Sequence, residues 1–159
     1  MILVTHSIVG SALVHTAVSV GGAFTIGVLS HYLFDMIPHW HYHVPKVKEI
    51  SLRVPGSAPA KFSRGLMRDI QWVLIDLSAG FALSWVLFDG SWLVITAGAF
   101  GAVVPDLLVG AAKFWPQKLL VWHDTLHRWI HTDIRLDDQP LIGISTQVGI
   151  AALFVLLFR

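Results

Sequence analysis

Residues 2–37 read ILVTHSIVGSALVHTAVSVGGAFTIGVLSHYLFDMI and contain one charged residue, Asp35. A membrane-spanning helix needs about 20 mostly apolar residues, so this stretch is too long for a single span. The glycine pair at 21–22 favours a tight turn within it. We therefore expect a helical hairpin with helices at about 2–20 and 22–37. The alternative is one long tilted helix, which would reverse the sidedness of every later segment.

The composition of the whole chain indicates a membrane protein. Of the 159 residues, 55% are hydrophobic and 13% are charged, and the mean hydropathy is +0.67. A soluble domain has about a quarter charged residues, and a disordered chain has far less apolar surface. The lack of cysteine excludes disulfide-stabilised folds and cysteine-ligated metal sites. A net charge of +1 provides no electrostatic field for binding nucleic acid.

The apolar segments after the hairpin predict three more spans, at about 70–88, 91–104 and 140–158. The second of these helices is expected to end near Pro105, because proline disrupts a helix interior. The prediction is an all-α, polytopic membrane helical bundle of about five spans. Residues 1–159 would form a single transmembrane domain of two helical hairpins plus a C-terminal helix.

Basic residues set the expected orientation. The segments 38–69 and 105–139 hold ten of the eleven Lys and Arg residues, whereas the two hairpin turns hold none. By the positive-inside rule these two segments face the cytoplasm. Residues 44–68 are expected to be a basic cytoplasmic loop, and residues 107–139 an amphipathic segment with an interfacial helix.

Nine histidines are many for a chain with eleven Lys and Arg residues. An α-helix rises about 1.5 Å per residue, which allows the depth of each ionisable residue to be estimated from the nearest turn. On this estimate, four residues on four different helices lie about 20–25 Å along the helix from the nearest predicted turn: His6, Asp35, Asp76 and Asp106. The sequence therefore predicts that these residues meet near the cytoplasmic membrane face.

Two histidine patterns have the spacing of metal ligands. His31 and Asp35 are four residues apart and share a helical face. His123, His127 and His131 would form one stripe if their segment is helical. Imidazole and carboxylate are ligands that zinc, manganese and iron accept without cysteine.

Several residues also have simpler interpretations. The run from His39 to His43 could be an interfacial belt in which Trp, Tyr and His lie at headgroup level. His39 is the member of this run most expected to have a different role, and we expect His41 and His43 to be solvated. His15, near mid-span, is expected to be a hydrogen-bonded core residue. Asp76 differs from these residues. A carboxylate in an apolar membrane helix costs a few kcal/mol of insertion free energy, so such a residue is expected to have a function.

Two segments of the chain show a weak internal sequence similarity. The segments Gly27–Asp35 and Gly98–Asp106 each end a hairpin's second helix with an aspartate eight residues after a glycine. Two related helical hairpins would account for this spacing.

Short motifs resemble a family of bacterial and archaeal inner-membrane proteins that are called membrane-bound metal-dependent hydrolases. The family is grouped distantly with zinc-dependent phospholipase C and related nucleases. The resemblance implies a metallohydrolase in a prokaryotic cytoplasmic membrane. Its motifs are Thr5-His6-Ser7, the His31-x-x-x-Asp35 helix, Val104-Pro105-Asp106 and the segment from His127 to Thr132.

The expected function is a membrane-embedded hydrolase of phosphoesters, with lipid or polyprenyl phosphate as candidate substrates. Its cofactor would be one or more divalent ions, with zinc preferred over manganese or iron. Asp76 would be a ligand, a bridging carboxylate or the general base. His123 and His39 would be reserve ligands or leaving-group acids, and Arg128 a phosphate-binding residue. The expected metal ligands are His6, His31, Asp35, Asp106, His127 and His131.

Three rival functions remain open at this point. A haem-binding or other non-hydrolytic metal-binding bundle would use histidines from facing helices. A metal or proton transporter would need polar residues along the whole bilayer depth. A membrane scaffold would need no buried aspartate.

Overall fold

The computed structural model describes residues 1–15, 19–41, 44–51, 63–134 and 136–159, apart from the side chains of residues 48 and 51. These residues contain α-helices and no β-strand, which confirms the all-α fold class. In chain order the helices are α1 (Leu3–Ala12), α2 (Val20–Asp35), α3 (Pro45–Ser51), α4 (Arg64–Leu87), α5 (Trp92–Phe114), α6 (Lys118–Ile130) and α7 (Pro140–Phe158).

Three helices, α4, α5 and α7, are long and apolar enough to cross a membrane. Their outer faces expose large apolar side chains such as Val86 on α4 and Leu141 and Leu156 on α7. Such apolar surface fits lipid better than water and indicates a membrane protein. Helices α1 and α2 have only 10 and 16 residues, fewer than the about 20 that a span requires.

The N-terminal stretch forms two helices, but the break differs from the predicted one. Helix α1 ends at Ala12 instead of near residue 20. The glycine pair at 21–22 lies inside the first turn of α2, where the Ser19 hydroxyl accepts a hydrogen bond from the Gly22 amide at 3.2 Å. A serine N-cap therefore sets the start of α2, and the glycines do not form the turn.

Helix α5 continues through Pro105 to Phe114, so the expected end at Pro105 is wrong. Residues 107–114 thus belong to α5, and the amphipathic helix starts later, as α6 at Lys118. A proline inside a helix removes one backbone hydrogen bond. Membrane helices tolerate this loss where neighbouring helices pack around the site, and here α2 and α6 both pack on α5.

Part of the predicted basic loop is helical. Helix α3 and the first residues of α4 lie within 44–68, while residues 52–62 fall outside the described parts of the chain. The buried carboxylate of Asp69 on α4 accepts hydrogen bonds from the amides of Lys46 and Val47, at 2.7 and 3.2 Å. A carboxylate at a helix N-terminus stabilises its first turn, which explains why α3 forms.

Helix α1 is the centre of the bundle. It contacts α2, α4, α5 and α7, and nine of its ten residues are buried. One end of the bundle is closed by an apolar core in which Ile8 and Ala12 pack with Phe88 and Ile95. His15 lies at that end, partly buried, and donates from Nδ1 to the Ala12 carbonyl at 2.9 Å, so it is hydrogen-bonded as expected.

The closest packing is between α2 and α5, at glycines. A Cβ atom added to Gly27 of α2 would lie only 2.9 Å from the Ala102 amide nitrogen of α5. Because the two backbones touch here, the next turn of α2 brings His31 against α5, and its Nδ1 lies 2.8 Å from the Ala102 carbonyl oxygen.

Candidate metal centre

Four side chains from three helices meet at the end of the bundle opposite the apolar core. They form what we call the first cluster: His31 and Asp35 on α2, Asp106 on α5 and His127 on α6. His31, Asp35 and His127 are buried, and Asp106 is partly exposed. The predicted i, i+4 pair is in place, with His31 Nε2 3.3 Å from Asp35 Oδ2.

The separations in the first cluster match the geometry of a tetrahedral metal site. Ligands about 2.0–2.1 Å from zinc at tetrahedral angles lie about 3.3 Å from one another. His127 Nε2 lies 3.0 Å from His31 Nε2, 3.1 Å from Asp35 Oδ2 and 3.4 Å from Asp106 Oδ1. His31 Nε2 and Asp106 Oδ1 are 3.9 Å apart. The cluster could therefore hold one divalent ion with little rearrangement.

Three further histidines form a second cluster beside the first: His39, His41 and His131. His41 Nε2 lies 2.9 Å from His39 Nε2 and 3.2 Å from His131 Nε2. His39 is fully buried, whereas His41 and His131 are partly exposed. With 35% of its side chain exposed, His41 is partly solvated, as expected, but its Nε2 faces the cluster. His43 lies outside the described residues.

The carboxylate of Asp35 lies between the two clusters. Its Oδ2 atom faces His31 and His127 and lies 3.9 Å from His131 Nε2, while Oδ1 lies 3.8 Å from His39 Nε2. Among the described residues, no donor is aligned for a hydrogen bond to the buried Oδ2 atom. A nearby cation satisfies such an oxygen: protonated His127, whose Nε2 lies 3.1 Å away, does so without metal, and a metal ion could take its place.

Hydrogen bonds at Nδ1 determine the tautomers of three of these rings. His31 Nδ1 lies 2.8 Å from the Ala102 carbonyl, His39 Nδ1 2.6 Å from the Ile37 carbonyl and His131 Nδ1 2.8 Å from its neighbour's carbonyl. A carbonyl oxygen only accepts, so Nδ1 donates in each ring and Nε2 is the nitrogen that faces the cluster. Metal-binding histidines are usually held in this way.

The electrostatics of the two clusters differ. Burial lowers the pKa of His39 to about 3 and also lowers the pKa values of His41 and His131. Burial opposes protonation of His127 as well, but the nearby carboxylates of Asp106 and Asp35 outweigh it and raise its pKa to about 9. The second cluster is therefore neutral at pH 7, while His127 is protonated when no metal is bound.

His6 lies next to the first cluster but is not one of its four residues. Its Nε2 lies 3.1 Å from Asp35 Oδ1, and its ring stacks on His31 with centroids 4.2 Å apart. The amino group of Met1 lies 3.1 Å from the same Asp35 oxygen. Asp35 Oδ1 is thus surrounded by nitrogen atoms, and the expected ligand role of His6 stays a prediction.

The structure does not bring Asp76 into either cluster. Its two carboxylate oxygens accept hydrogen bonds from the amides of Leu3 and Val4, at 2.7 and 3.1 Å. This carboxylate therefore binds the first turn of α1, and that contact accounts for its position inside an apolar helix.

Two other predicted residues lie at the edge of the site. His123 Nε2 lies 2.9 Å from the Tyr32 hydroxyl, and burial lowers the pKa of this histidine. Arg128 points outward, with 63% of its side chain exposed, and pairs with Asp124 at 3.2 Å. The phosphate-binding role expected of Arg128 therefore has no geometric support at the clusters.

A cavity of about 370 Å³ opens beside both clusters. Asp106 and His127 of the first cluster line it together with His41 and His131 of the second. Lys113 also lines this cavity, and its ammonium group lies 2.9 Å from Asp124 Oδ1. Most of the remaining wall is apolar, formed by Leu3, Val44, Val47, Val73, Leu107 and Val109.

Sequence reasoning missed His41, Lys113 and Gln147. In an extended backbone alternate residues share a face, so the His39-x-His41 spacing after Pro38 was the available signal for His41. Gln147 of α7 is buried; it accepts from the Ile2 amide at 2.8 Å and donates to the Trp40 carbonyl at 3.0 Å. No sequence pattern indicates that contact.

The fold and the site together define an all-helical protein with helices of membrane-spanning length and a buried His/Asp cluster that could hold a metal ion. Comparison of the chain with protein-family models, with curated proteins and with solved structures gave no match.

Proposed function

We propose that the protein is a membrane-embedded, metal-dependent hydrolase of phosphoesters. The observation that supports this best is the contact between the clusters and the cavity. Asp106 and His127 belong to the first cluster and also line the cavity, so a ligand in the cavity would touch the metal site. A bound divalent ion would supply a coordinated water with a pKa near 7 and charge stabilisation for a phosphoryl group.

Lys113 is the group best situated to bind the phosphate. It lines the cavity, and its ion pair with Asp124 keeps its ammonium group in place. Lysine binds phosphate as a point charge through charge-assisted hydrogen bonds. We assign it the role that the sequence suggested for Arg128.

The apolar part of the cavity supports a lipid substrate. Val47 and Val73 on one side and Leu107 and Val109 on another form a wall suited to a hydrocarbon chain. A phospholipid or polyprenyl phosphate has both the anionic head and the apolar chain that this cavity would accommodate. The motif resemblance to membrane-bound metal-dependent hydrolases supports the same substrate class.

The proposal can be tested with protein purified in detergent. We expect phosphate release from a lipid phosphate, faster than from a soluble phosphoester, with loss after chelation and recovery on adding zinc or manganese. His127→Ala should abolish this activity, and His15→Ala, at the far end of the bundle, should retain it. Metal-dependent binding without hydrolysis of either substrate would overturn the proposal.

A non-hydrolytic metal protein is the second candidate. The first cluster offers four protein ligands, and structural zinc sites are closed by four ligands in this way. Haem is a poorer fit, because two axial nitrogens on one iron lie about 4 Å apart, with bonds of about 2 Å each. The facing nitrogens of His31 and His127 are 3.0 Å apart. Transport is also a poorer fit, since the two clusters occupy one end of the bundle.

The membrane placement completes the proposal. We propose five spans, in which the hairpin of α1 and α2 reaches into the bilayer among the three long helices. The clusters would then lie at the cytoplasmic face of a prokaryotic inner membrane, at the depth of lipid headgroups. The positive-inside pattern of the sequence supports this orientation.

A further inference from the structure

We propose that His39, His41 and His131 hold a second divalent ion, with Asp35 as the carboxylate shared by the two metal positions. The inference deepens the proposed function and rests on its metal site. It assigns a ligand role to His41, which lies outside the first cluster, and makes the site a two-metal centre.

The orientation of the three rings carries the inference. His39 and His131 donate their Nδ1 protons to carbonyl oxygens, and His41 Nδ1 lies 3.1 Å from Asp137 Oδ1. All three acceptors lack a proton to give, so Nδ1 is the donor nitrogen of each ring and Nε2 is the nitrogen that faces the cluster. These three Nε2 atoms point at one another, and the Met1 amino group also lies within hydrogen-bond distance of His39 Nε2, so a metal ion would displace it there.

The short separations match the spacing of ligands on one metal ion. The Nε2 atoms of His39 and His41 are 2.9 Å apart and those of His41 and His131 are 3.2 Å apart, close to the about 3.3 Å between ligands of a tetrahedral zinc. One ion could therefore bind all three nitrogens. Three imidazoles are a well-known zinc ligand set.

The position of Asp35 links the two ions. Its two oxygens lie 3.8 Å from His39 Nε2 and 3.9 Å from His131 Nε2, while Oδ2 is within 3.3 Å of both histidines of the first cluster. One carboxylate between two sets of ligands is suited to a pair of ions about 3.5–4 Å apart.

The second position also opens to the cavity. Three histidines and a shared carboxylate oxygen give four protein ligands, as in the first cluster, and His41 and His131 line the cavity. Catalytic metal sites keep a coordination position for substrate or water, whereas structural sites do not. A ligand in the cavity would thus reach the second position as well as the first, whose Asp106 and His127 also line the cavity.

Metal content is the direct test. Purified protein is stripped with chelator, reloaded with zinc, dialysed and analysed by elemental mass spectrometry. We expect about two ions per chain for the natural sequence and for the His15→Ala control. His41→Ala should retain about one ion, because the first cluster is intact. Circular dichroism checks that each variant is folded.

The outcomes separate this inference from the proposed function. One ion in the natural protein, unchanged by His41→Ala, would overturn the second site and leave the first in place. No ion in the natural protein would overturn both proposals.

A measurement on the unsubstituted protein covers the case in which His41→Ala does not fold. Manganese-loaded protein is examined by electron paramagnetic resonance. Two ions about 3.5–4 Å apart should give an exchange-coupled spectrum at full loading. The spectrum of isolated Mn²⁺ at every loading would contradict the two-metal centre.

Discussion

Asp35 and His127 together set the charge of the first cluster. Asp35 is buried and is approached by nitrogens from α1, α2 and α6. The carboxylates of Asp106 and Asp35 raise the pKa of His127 to about 9. In the metal-free protein, His127 can thus hold the proton that a metal ion replaces. The other cluster rings with shifted pKa values are neutral at pH 7 and hold no such proton.

Metal binding should release a proton from His127. Coordination needs a neutral imidazole, so below its pKa of about 9 the ring must lose a proton to bind metal. Metal affinity should therefore rise with pH up to about 9 and level off above it. Titration calorimetry at pH 7 in buffers of different ionisation enthalpy would measure the release. Heats that do not depend on the buffer would contradict this assignment.

Asp76 should matter for stability and not for metal content. Asp76→Ala removes the acceptor for the amides of Leu3 and Val4 and should cost about 1–3 kcal/mol of unfolding free energy. Thermal unfolding in detergent and metal analysis would be measured on the same samples. A stable variant that has lost its metal would instead support the ligand role that the sequence suggested.

At the scale of the helices, two aspartates of α4 bind the first turns of two neighbouring helices. Asp69 and Asp76 are seven residues apart, about two turns, and each accepts two amides from the first turn of another helix, α3 or α1. The sequence identified Asp76 as unusual for an apolar helix but not its partner. A carboxylate that binds a helix N-terminus and one that binds metal look alike in sequence, because both are aspartates at a helix interior.

The contact between α2 and α5 explains the equal glycine-to-aspartate spacing in the two segments Gly27–Asp35 and Gly98–Asp106. Gly27 and Gly98 lie against each other, and the aspartates eight residues later, Asp35 and Asp106, both reach His127. Equal spacing along two touching helices brings both carboxylates to one level, since each helix advances equally per residue.

Gly27→Ala should separate these helices and weaken metal binding. The new methyl group would meet the backbone of α5, and overpacking of this kind costs about 1–3 kcal/mol. Gly21→Ala is the matched control on the same helix, because no atom lies within 4 Å of its added Cβ. Thermal stability and zinc affinity would be compared. Equal behaviour of the two variants would show that the contact does not position the site.

At the scale of the whole molecule, α4 is long enough for its two ends to reach opposite surfaces of a membrane. It has 24 residues and is about 36 Å long, more than the about 30 Å hydrocarbon core of a bilayer. Lys46 packs near its start and Ser91 follows its end, so the two should lie on opposite sides of a membrane.

Cysteine labelling tests this sidedness directly, because the natural chain has no cysteine. In Lys46→Cys the thiol should react with an impermeant reagent only from the cytoplasmic side, as the positive-inside rule requires. In Ser91→Cys it should react only from the opposite side. The reverse pattern would refute the orientation, and labelling of both positions from one side would refute the span.

Local features were predictable because they depend on a few neighbouring residues. The apolar run that starts at Pro140 predicted α7 with its observed bounds, and the spacing of His31 and Asp35 predicted a shared helical face. Errors arose where the surroundings outweighed a local rule. Pro105 remains inside α5, and the glycine pair at 21–22 lies in a helix that Ser19 begins.

The amino-acid sequence by itself determined the all-helical class, the membrane-length helices and the residue types available as metal ligands. Hydropathy and helical periodicity are properties of single segments, so no partner is needed to read them. Only the tertiary structure decided which residues converge: His41 belongs to a cluster, while Asp76 does not. The physical reason is that convergence depends on close helix packing at glycines and on the path of the chain between helices, which bring together residues far apart in sequence.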